Sequence, residues 1–454
     1  MSRIFKFLRI IGDIIFINLS FVLAFYIRYL GNIPEGNFSA YLELVPYISL
    51  FTVVILHLYS MYSKPLHQDI TDIFYAFIPI GVIITIFTTV LSYFAYTFAF
   101  PRSVILISLP VMIPVMMFWR FGLLHLERNM TAPLKTVMIG TTLESEKLLD
   151  NVFRTVRAGY DIQAIILRDG KVIPGNKKLY DDIEIINGFS NMEDVLKKYN
   201  PEMVFLTAGL TEEEKKELLY LSMDENWQVA LVPDFYEIML AGAELEHIGE
   251  LPVFEMKKIH KDQDDVIKRI FDIFLSVVGL ILASPVMCIA AILIKIDSPG
   301  PVFFKQKRVS TQGKMFYLYK FRTMIDRAEA DTGPVLAARD DNRITRVGKC
   351  LRMTRIDEIP QLINVLKGEM SLIGPRPERP HFVEQFEKEI PEYKYRHQIK
   401  GGITGLAQVY GYYSTDPEEK LRMDLLYANK SSFLFDLKII LQTMKVIFMR
   451  DKSS

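Results

Sequence analysis

Cysteine and net charge are both scarce in this sequence. The 454 residues include only two cysteines, Cys288 and Cys350, so neither a disulfide framework nor a four-cysteine zinc site can form within one chain. The 53 basic residues equal the 53 acidic residues in number, so the overall charge favours no polyanionic partner, and we expect no nucleic acid to bind. The seven histidines show no metal-ligand spacing. A partner must therefore be identified from local clusters.

Hydrophobic residues, in contrast, are abundant. They make up 50% of the chain, and the mean hydropathy is +0.20, which is typical of membrane segments joined to soluble domains. Four apolar runs near the N-terminus have about the 20 residues that a span needs. They are Ile10–Tyr29, Leu42–Tyr62, Ile73–Phe98 and Val104–Leu126. We therefore predict that residues 1–130 form a transmembrane domain of four helices.

The loops between these runs carry most of their basic residues on one side. Arg3, Lys6 and Arg9 precede the first run, and Arg128 follows the fourth, whereas the opposite loops contain few basic residues. Short loops rich in lysine and arginine stay in the cytoplasm. The pattern therefore places the N-terminus, and the chain that follows the fourth helix, on the cytoplasmic side.

Residues 131–256 alternate short apolar strands with helices. The segments "KTVMIG", "DIQAIIL", "MVFLTA" and "QVALVP" have the pattern of buried strands, and "ESEKLLDNVFRTV" and "TEEEKKELLYLSM" that of helices. This alternation predicts a Rossmann-like, doubly wound α/β domain. The turn after the first strand reads "GTTLES" and contains only Gly140, whereas a dinucleotide requires several glycines there. A structural or regulatory role is favoured, with a nicotinamide-dependent sugar-nucleotide enzyme as the alternative.

A further apolar segment, residues 268–296, contains Ser284 and Pro285 near its middle. Its length alone would allow a fifth crossing. Basic residues flank both ends, however, which favours both ends in the cytoplasm. Proline also removes a backbone donor and breaks or kinks a helix. We predict a re-entrant helix–break–helix wedge in one leaflet, with Ser284 helping to satisfy the freed backbone; the alternative is a fifth spanning helix with an ordinary kink.

The following region is basic and contains one acidic pair, Asp357 and Glu358. Pro360 predicts that a helix starts directly after the pair, and Gly368 predicts its end. Two carboxylates at a helix entry can reach one Mg²⁺ together with substrate phosphates. Nearby arginines can donate two hydrogen bonds to a phosphate. The cluster therefore suggests phosphoryl transfer at a membrane surface.

Several blocks of this region resemble a known family. The blocks "YKFRTM", "LRMTRIDEIPQLINVLKGEMSLIGPRPERP" and "GGITGLAQVYG" are similar to those of bacterial sugar transferases, the polyprenyl-phosphate hexose-1-phosphate transferases. The resemblance covers about Val266 to the C-terminus and also matches the Ser284-Pro285 break. The first helices and the α/β domain resemble those of the large, initiating members. One departure is "GGITG", where members often have proline before the second glycine; we expect little effect.

The resemblance implies a fold of membrane α plus α/β type. Four transmembrane helices and the Rossmann-like domain would precede a mainly helical, monotopic catalytic domain at residues 257–454. It implies that the enzyme moves a sugar-1-phosphate from a UDP-sugar to undecaprenyl phosphate and releases UMP. It places the protein in the bacterial inner membrane, with the catalytic domain on the cytoplasmic face, and it implies a homodimer. Glucose or galactose is the expected sugar.

The resemblance also assigns roles to residues. Asp357 would be the nucleophile that forms a covalent phosphosugar, and Glu358 a Mg²⁺ ligand or proton handler, so that both carboxylates are candidate metal ligands. Phosphate-binding candidates are Arg352, Arg376, Lys320 and Arg322. The competing hypothesis is a non-catalytic membrane scaffold or regulator of polysaccharide export, in which the basic region only binds lipid.

Overall fold

The chain folds into two compact units, Met1–Asp234 and Phe235–Ser454, in a computed structural model. The residues that the structure describes are 2–63, 70–95, 97, 99–130, 132–141, 159–168, 183–189, 192–207, 209–256, 266–325, 341–411 and 415–449. The second unit begins before residue 257, because Ile238 packs against Val309 and Leu425 from much later in the chain.

Four long helices open the first unit. Each is long and apolar enough to cross a bilayer. They are α1 (Ser2–Tyr29), α2 (Glu35–Leu58), α3 (Ile70–Phe94) and α4 (Arg102–Met130). Their outward faces are apolar, as the 75% exposed Phe118 illustrates. The internal prolines, such as Pro79 and Pro110, leave the helices continuous. The apolar runs therefore predict the number of helices well and their ends less well.

Two buried ion pairs join α1 to α4. Arg9 pairs with Glu127 at 2.5 Å, and Arg120 pairs with Asp13 at 2.6 Å. Arg120 also donates to the carbonyl oxygen of Met61 at 3.1 Å. Removal of one partner from such a buried pair typically costs about 3–5 kcal/mol. These charges therefore fix the two helices in one register, a feature that hydropathy alone does not reveal.

A five-stranded parallel sheet follows α4. Its spatial order is β3-β2-β1-β4-β5, which is the Rossmann order without the sixth strand. The strands are β1 (Leu134–Gly140), β2 (Tyr160–Leu167), β3 (Glu184–Asn187), β4 (Met203–Leu206) and β5 (Gln228–Leu231). The described helices are α5 (Met192–Tyr199) and α6 (Glu212–Asp224). The parallel sheet confirms the predicted α/β class, but β3 was not predicted, and the helix expected at "ESEKLLDNVFRTV" lies outside the described residues.

The point where the strand order reverses lies between β1 and β4. There, a Cβ built on Gly140 would approach Thr207 Oγ1 to 1.6 Å, so the threonine side chain lies directly over the glycine. Thr207 is fully buried. Gly140 is therefore required for close packing between neighbouring strands, which accounts for it without a bound nucleotide.

The second unit is mainly helical. Its helices are α7 (Phe235–Leu240), α8 (Val266–Asp297), α9 (Arg346–Met353), α10 (Gln361–Lys367), α11 (Pro380–Glu389), α12 (Leu406–Tyr410), α13 (Pro417–Lys430) and α14 (Phe433–Ile447). Its strands form three pairs: β6 (Glu244–Ile248) with β7 (Leu251–Glu255), β8 (Phe303–Val309) with β9 (Met315–Phe321), and β10 (Ser371–Ile373) with β11 (Gly402–Thr404). Short 3₁₀ turns lie at Thr311–Gly313, Ile356–Glu358 and Pro391–Gln398.

Helix α8 is unbroken, which corrects the predicted helix–break–helix geometry. It continues through Pro285 for 32 residues, about 48 Å at about 1.5 Å per residue. Pro285 has no N–H for the carbonyl oxygen of Ile281, four residues earlier. The Ser284 hydroxyl donates to that oxygen at 2.8 Å. The serine therefore supplies a hydrogen bond to the carbonyl oxygen that Pro285 leaves without an N–H partner, and the helix continues through the proline.

The N-terminal turns of α8 are anchored by polar contacts. Lys268 Nζ lies 2.9 Å from Asp436 Oδ2 and 2.5 Å from the Tyr427 hydroxyl. Asp272 accepts hydrogen bonds from Ser371 Oγ at 2.8 Å and from the Leu372 backbone at 3.1 Å. These contacts attach the start of α8 to α14 and β10.

The C-terminal turns of α8 are attached to the same unit by other elements. Ala290 and Ile294 pack against Phe321 and Leu351. Asp297 Oδ2 accepts a hydrogen bond from the Val347 backbone at 3.0 Å. The opposite face is apolar and exposed along the helix, as at Phe274, Leu282, Ile289 and Ile296. Both ends of α8 are therefore attached to the same unit.

Candidate active site

The acidic pair occupies a 3₁₀ turn between α9 and α10. Arg355, directly before that turn, has a left-handed backbone with φ 54°, which is uncommon for a residue with a side chain and often accompanies functional sites. Pro360 caps α10, and Gly368 ends it with φ 81°, as the sequence predicts. The turn holds both carboxylates just ahead of a helix N-terminus.

Glu358 is held by two cations. Its Oε1 atom lies 2.9 Å from Lys320 Nζ and 2.6 Å from Arg376 Nη2. Burial opposes the charged form, but Arg376 and Lys320 outweigh it and hold the pKa of Glu358 well below its usual range. Burial in turn lowers the pKa of Lys320. Glu358 therefore stays ionised at neutral pH and fixes the two cations in place.

Asp357 differs from its neighbour in both contacts and charge. Its side chain is buried, and among the described residues no group donates a hydrogen bond to it. Burial and the adjacent Glu358 carboxylate raise the pKa of Asp357 to about 6, although Lys320, Arg352 and Arg376 act in the opposite direction. An ionised carboxylate that no donor engages retains its lone pairs, so of the two side chains Asp357 is the one whose oxygens could attack an electrophile.

Two further arginines act on this pair. Arg352, in the last turn of α9, donates from Nε to Thr323 Oγ1 at 2.9 Å. Arg355 lies within electrostatic reach of Glu358 and Asp357, and burial lowers its pKa. With Lys320 and Arg376, four cationic side chains thus surround two carboxylates. Such an excess of positive charge suits the oxygens of a diphosphate.

The loop that carries Arg376 is positioned by close backbone packing. It follows β10, where a Cβ on Gly374 would lie 2.2 Å from the Lys400 carbonyl oxygen. A Cβ on Gly402 would lie 2.1 Å from the Gly374 nitrogen. Arg396, buried against Asp424 at 2.8 Å, donates to the Arg376 carbonyl oxygen at 3.0 Å. The glycines of "GGITG" thus let β11 approach β10 and hold the arginine beside Glu358.

Arg322 does not join the cluster. Its guanidinium is buried and donates to the carbonyl oxygens of Pro299 at 2.6 Å and Ser298 at 2.7 Å. Arg322 thus closes the turn after α8, and its role as a phosphate contact stays a prediction. Lys320, two residues earlier and still within β9, instead contacts Glu358 Oε1 at 2.9 Å.

Sequence reasoning missed two features of the site and its surroundings. It did not identify Arg355 as a site residue, and it did not identify Lys268 and Asp272 as polar anchors of α8. Arg355 stands immediately before the acidic pair, but its left-handed backbone is not readable from an arginine. The anchor residues Lys268 and Asp272 are charged residues in an apolar helix, and their partners lie about 100 residues or more away in the chain. An ionisable residue in such a helix was the one available signal.

Magnesium fits this donor set only together with a phosphate. Glu358 Oε1 already contacts two cations, and no group of three potential metal ligands occurs among the described residues. Asp357 offers carboxylate oxygens without N–H donors, and Mg²⁺ commonly binds one or two carboxylates plus substrate phosphates. Asp357 and the second oxygen of Glu358 are therefore the atoms that would hold the ion.

Comparison with known proteins identifies the family of the second unit. Residues 263–450 match the family model described as bacterial sugar transferase. The chain is 47% identical over 184 residues (40% of this chain, 43% of the relative) to a UDP-N-acetylgalactosamine-undecaprenyl-phosphate N-acetylgalactosaminephosphotransferase of Aeromonas hydrophila. It is 38% identical over 261 residues (55% and 54%) to a UDP-glucose:undecaprenyl-phosphate glucose-1-phosphate transferase of Xanthomonas campestris pv. campestris.

A shorter relative is covered almost completely. The exopolysaccharide production protein PSS of Rhizobium leguminosarum bv. phaseoli is 42% identical over 200 residues, which are 42% of this chain and 98% of that protein. By contrast, the chain spans about half the length of the two longer relatives. The matched region contains α8 and the whole acidic cluster. The chain belongs to the bacterial sugar transferase family.

Proposed function

We propose that this protein is a phosphotransferase that moves a hexose-1-phosphate from a UDP-sugar to undecaprenyl phosphate. The products are the undecaprenyl-diphosphate sugar and UMP, and the step would begin the synthesis of a bacterial surface polysaccharide. The observation that carries this proposal is the contrast within the acidic pair. Asp357 is buried without a hydrogen-bond donor among the described residues, whereas Glu358 is clamped by Lys320 and Arg376.

In the first step, an oxygen of Asp357 attacks the β-phosphorus of the UDP-sugar. A bond forms between that oxygen and the phosphorus, and the bond to the bridging oxygen breaks, so that UMP leaves with the electron pair. In the second step, an oxygen of undecaprenyl phosphate attacks the same phosphorus and displaces the Asp357 carboxylate. Two successive displacements suit one soluble and one lipidic substrate, because the two need not occupy the site together.

The cations stabilise the charge on the reacting phosphates. Lys320 and Arg376 are already oriented by Glu358, so they do not need to reorganise when the phosphates bind. Arg352, held by Thr323, and Arg355 provide further donors. Magnesium, when bound, would neutralise the diphosphate and help UMP to leave. Glu358 therefore acts mainly by positioning the two cations.

The reactivity of Asp357 should depend on pH near 6. The protonated carboxyl is not nucleophilic, so the rate should fall about tenfold per pH unit below about 6, the pKa of this group. The residual activity of Glu358→Gln should begin to fall only at a lower pH, because the negative charge of Glu358, which raises the pKa of Asp357, is then absent. Single-turnover UMP release from UDP-sugar alone measures this, since no lipid phosphate is present to titrate. A rate independent of pH between 5 and 7 in the wild type would contradict the assignment.

We further propose that α8 enters one leaflet of the inner membrane and does not cross it. Both ends of α8 contact the same folded unit, through Lys268 and Asp272 at one end and Ile294 and Asp297 at the other. A crossing helix would separate its ends by about 30 Å of hydrocarbon. A reporter that is active only in the cytoplasm should give a signal when it is inserted after Ser310, and a reporter that is active only in the periplasm should give none. A signal from the periplasmic reporter would show that α8 crosses.

The proposed activity is tested by supplying a panel of UDP-sugars to the full-length protein with undecaprenyl phosphate and Mg²⁺. UMP release should require both substrates for multiple turnovers and should identify the sugar, for which glucose and galactose are the first candidates. EDTA should suppress the release. No UMP from any sugar would favour the non-catalytic scaffold. The family resemblance also leads us to propose a homodimer, which native mass measurement in detergent would test.

A further inference from the structure

The strand pair β8–β9 carries an unusual outer face. Lys305 pairs with Tyr319 across the strands, and Lys307 pairs with Tyr317. Lys305 lies 5.5 Å from the Tyr319 ring centroid, and Lys307 lies 5.9 Å from that of Tyr317. These four residues, together with Lys367 of α10, 4.5 Å from the Tyr319 ring, form what we call the lysine–tyrosine face.

No carboxylate of the described residues forms an ion pair with this face, although Glu369 acts electrostatically on Lys367. Among the described residues, none of its three lysines takes part in a salt bridge, although many other cations of the second unit do, as Lys320 and Arg308 illustrate. Lys305, Lys307 and Tyr317 are exposed. A cation held over an aromatic ring loses side-chain freedom but keeps its charge. The face is therefore an ordered, positively charged surface that the proposed reaction does not use.

The direction of the face follows from its neighbours on the same strands. Phe303 and Phe321 form the next cross-strand pair on this side, and their rings stack at 5.3 Å. Phe321 packs against Ala290 and Ile294 of α8. The lysine–tyrosine face is thus the continuation of the surface on which α8 lies. The opposite side of the strands carries Lys320, which faces the acidic pair.

We propose that the lysine–tyrosine face binds the anionic phospholipid headgroups of the bilayer that receives α8. Tyrosine is favoured at the level of the headgroups, where its ring is partly buried and its hydroxyl stays hydrated. Lysine at that level is attracted to anionic lipids by about 1 kcal/mol per residue. The inference rests on the membrane position of α8 in the proposed function. It implies that β8–β9 separates the headgroups from the acidic pair by the thickness of one strand pair.

The test uses the full-length protein in nanodiscs with a photoactivatable phosphatidylglycerol as a tracer. The discs contain phosphatidylcholine alone or an equimolar mixture with phosphatidylglycerol. After illumination, mass spectrometry measures the yield of lipid cross-links in the 303–321 segment. The wild type should show cross-links here that excess unlabelled phosphatidylglycerol suppresses and phosphatidylcholine does not. Lys305→Gln with Lys307→Gln should lower the yield by roughly 25-fold, a fivefold factor for each lysine.

Two double variants serve as controls. Lys305→Arg with Lys307→Arg keeps the charge and should retain most of the yield. Lys388→Gln with Lys394→Gln removes two exposed lysines elsewhere in the unit, one of them 5.3 Å from the Tyr395 ring, and should leave the yield unchanged. Equal yields in the wild type and the Lys305→Gln, Lys307→Gln variant would overturn the proposal, as would an equal loss in the Lys388, Lys394 control. Cross-linking requires no turnover, so this result is independent of whether the protein is a transferase.

Discussion

Replacement of Asp357 by asparagine is expected to abolish UMP release from UDP-sugar, by a factor on the order of 10⁴ or more. The amide keeps the shape of the side chain but cannot attack phosphorus. Glu358→Gln should be strongly impaired for another reason, because Lys320 and Arg376 lose the carboxylate that orients them. UMP release in the presence of both substrates measures the two variants side by side. Turnover at the wild-type rate by Asp357→Asn would disprove the assignment of the nucleophile.

Asp357→Asn should also stabilise the folded protein. The folded protein raises the Asp357 pKa from 3.8 to about 6, so it holds this proton more tightly than the unfolded chain does. Above about pH 6 the carboxyl is ionised in both states, and its burial then destabilises the folded state by an amount on the order of 3 kcal/mol. Asparagine removes that charge. Asp357→Asn should therefore melt a few degrees higher at pH 7.5, and the gain should shrink as the pH falls towards 4.

The second large effect is expected from Gly374→Ala, which touches no substrate. A Cβ at this position would lie 2.2 Å from the Lys400 carbonyl oxygen, so the backbone between β10 and β11 must shift. The loop carrying Arg376 would move with it. A displacement of about 1 Å at a catalytic group can cost about 100-fold in rate, and we expect at least that loss in kcat. The measurement is steady-state kinetics of UMP release on purified, correctly sized protein.

A matched variant and a double variant separate positioning from general damage. Gly36→Ala adds the same methyl group where no atom lies within 4 Å, and it should leave kcat unchanged. Gly374→Ala combined with Arg376→Ala should be no worse than Arg376→Ala alone, because both remove one interaction with Glu358. Additive losses in the double variant would show that Gly374 does not act through Arg376.

How far the sequence predicts this molecule depends on the range of the interactions. Apolar runs and the α/β alternation are local patterns, so they give the four long helices, α6 and four of the five parallel strands of the first unit, whereas α5 was not predicted. The acidic pair and the helix from Pro360 to Gly368 are also local and are placed as expected. Lys320 lies on β9 and Arg322 directly follows that strand, and only the tertiary structure separates the turn contact of Arg322 from the contact of Lys320 with Glu358.

Pro285 illustrates a different limit. A proline in a helix predicts a break from its own covalent structure, but the helices that contain Pro79 and Pro110 are also continuous, so a proline alone does not decide the outcome. Here the Ser284 hydroxyl donates to Ile281, and the helix stays continuous. The anchoring role of Lys268 and Asp272 could likewise not be predicted from the sequence, because it depends on their contacts with Asp436 and Ser371, which lie far away in the chain. Long-range polar contacts therefore account for most of what the sequence did not reveal.

The most direct test of the central claim is an intact mass measurement of the full-length protein incubated with UDP-sugar and Mg²⁺ without undecaprenyl phosphate. The account predicts a mass increase equal to one hexose phosphate, one equivalent of UMP, and a modified peptide that maps to Asp357. Addition of undecaprenyl phosphate should then restore the original mass. UMP formation that requires the lipid phosphate and leaves the protein mass unchanged throughout would contradict a covalent role for Asp357.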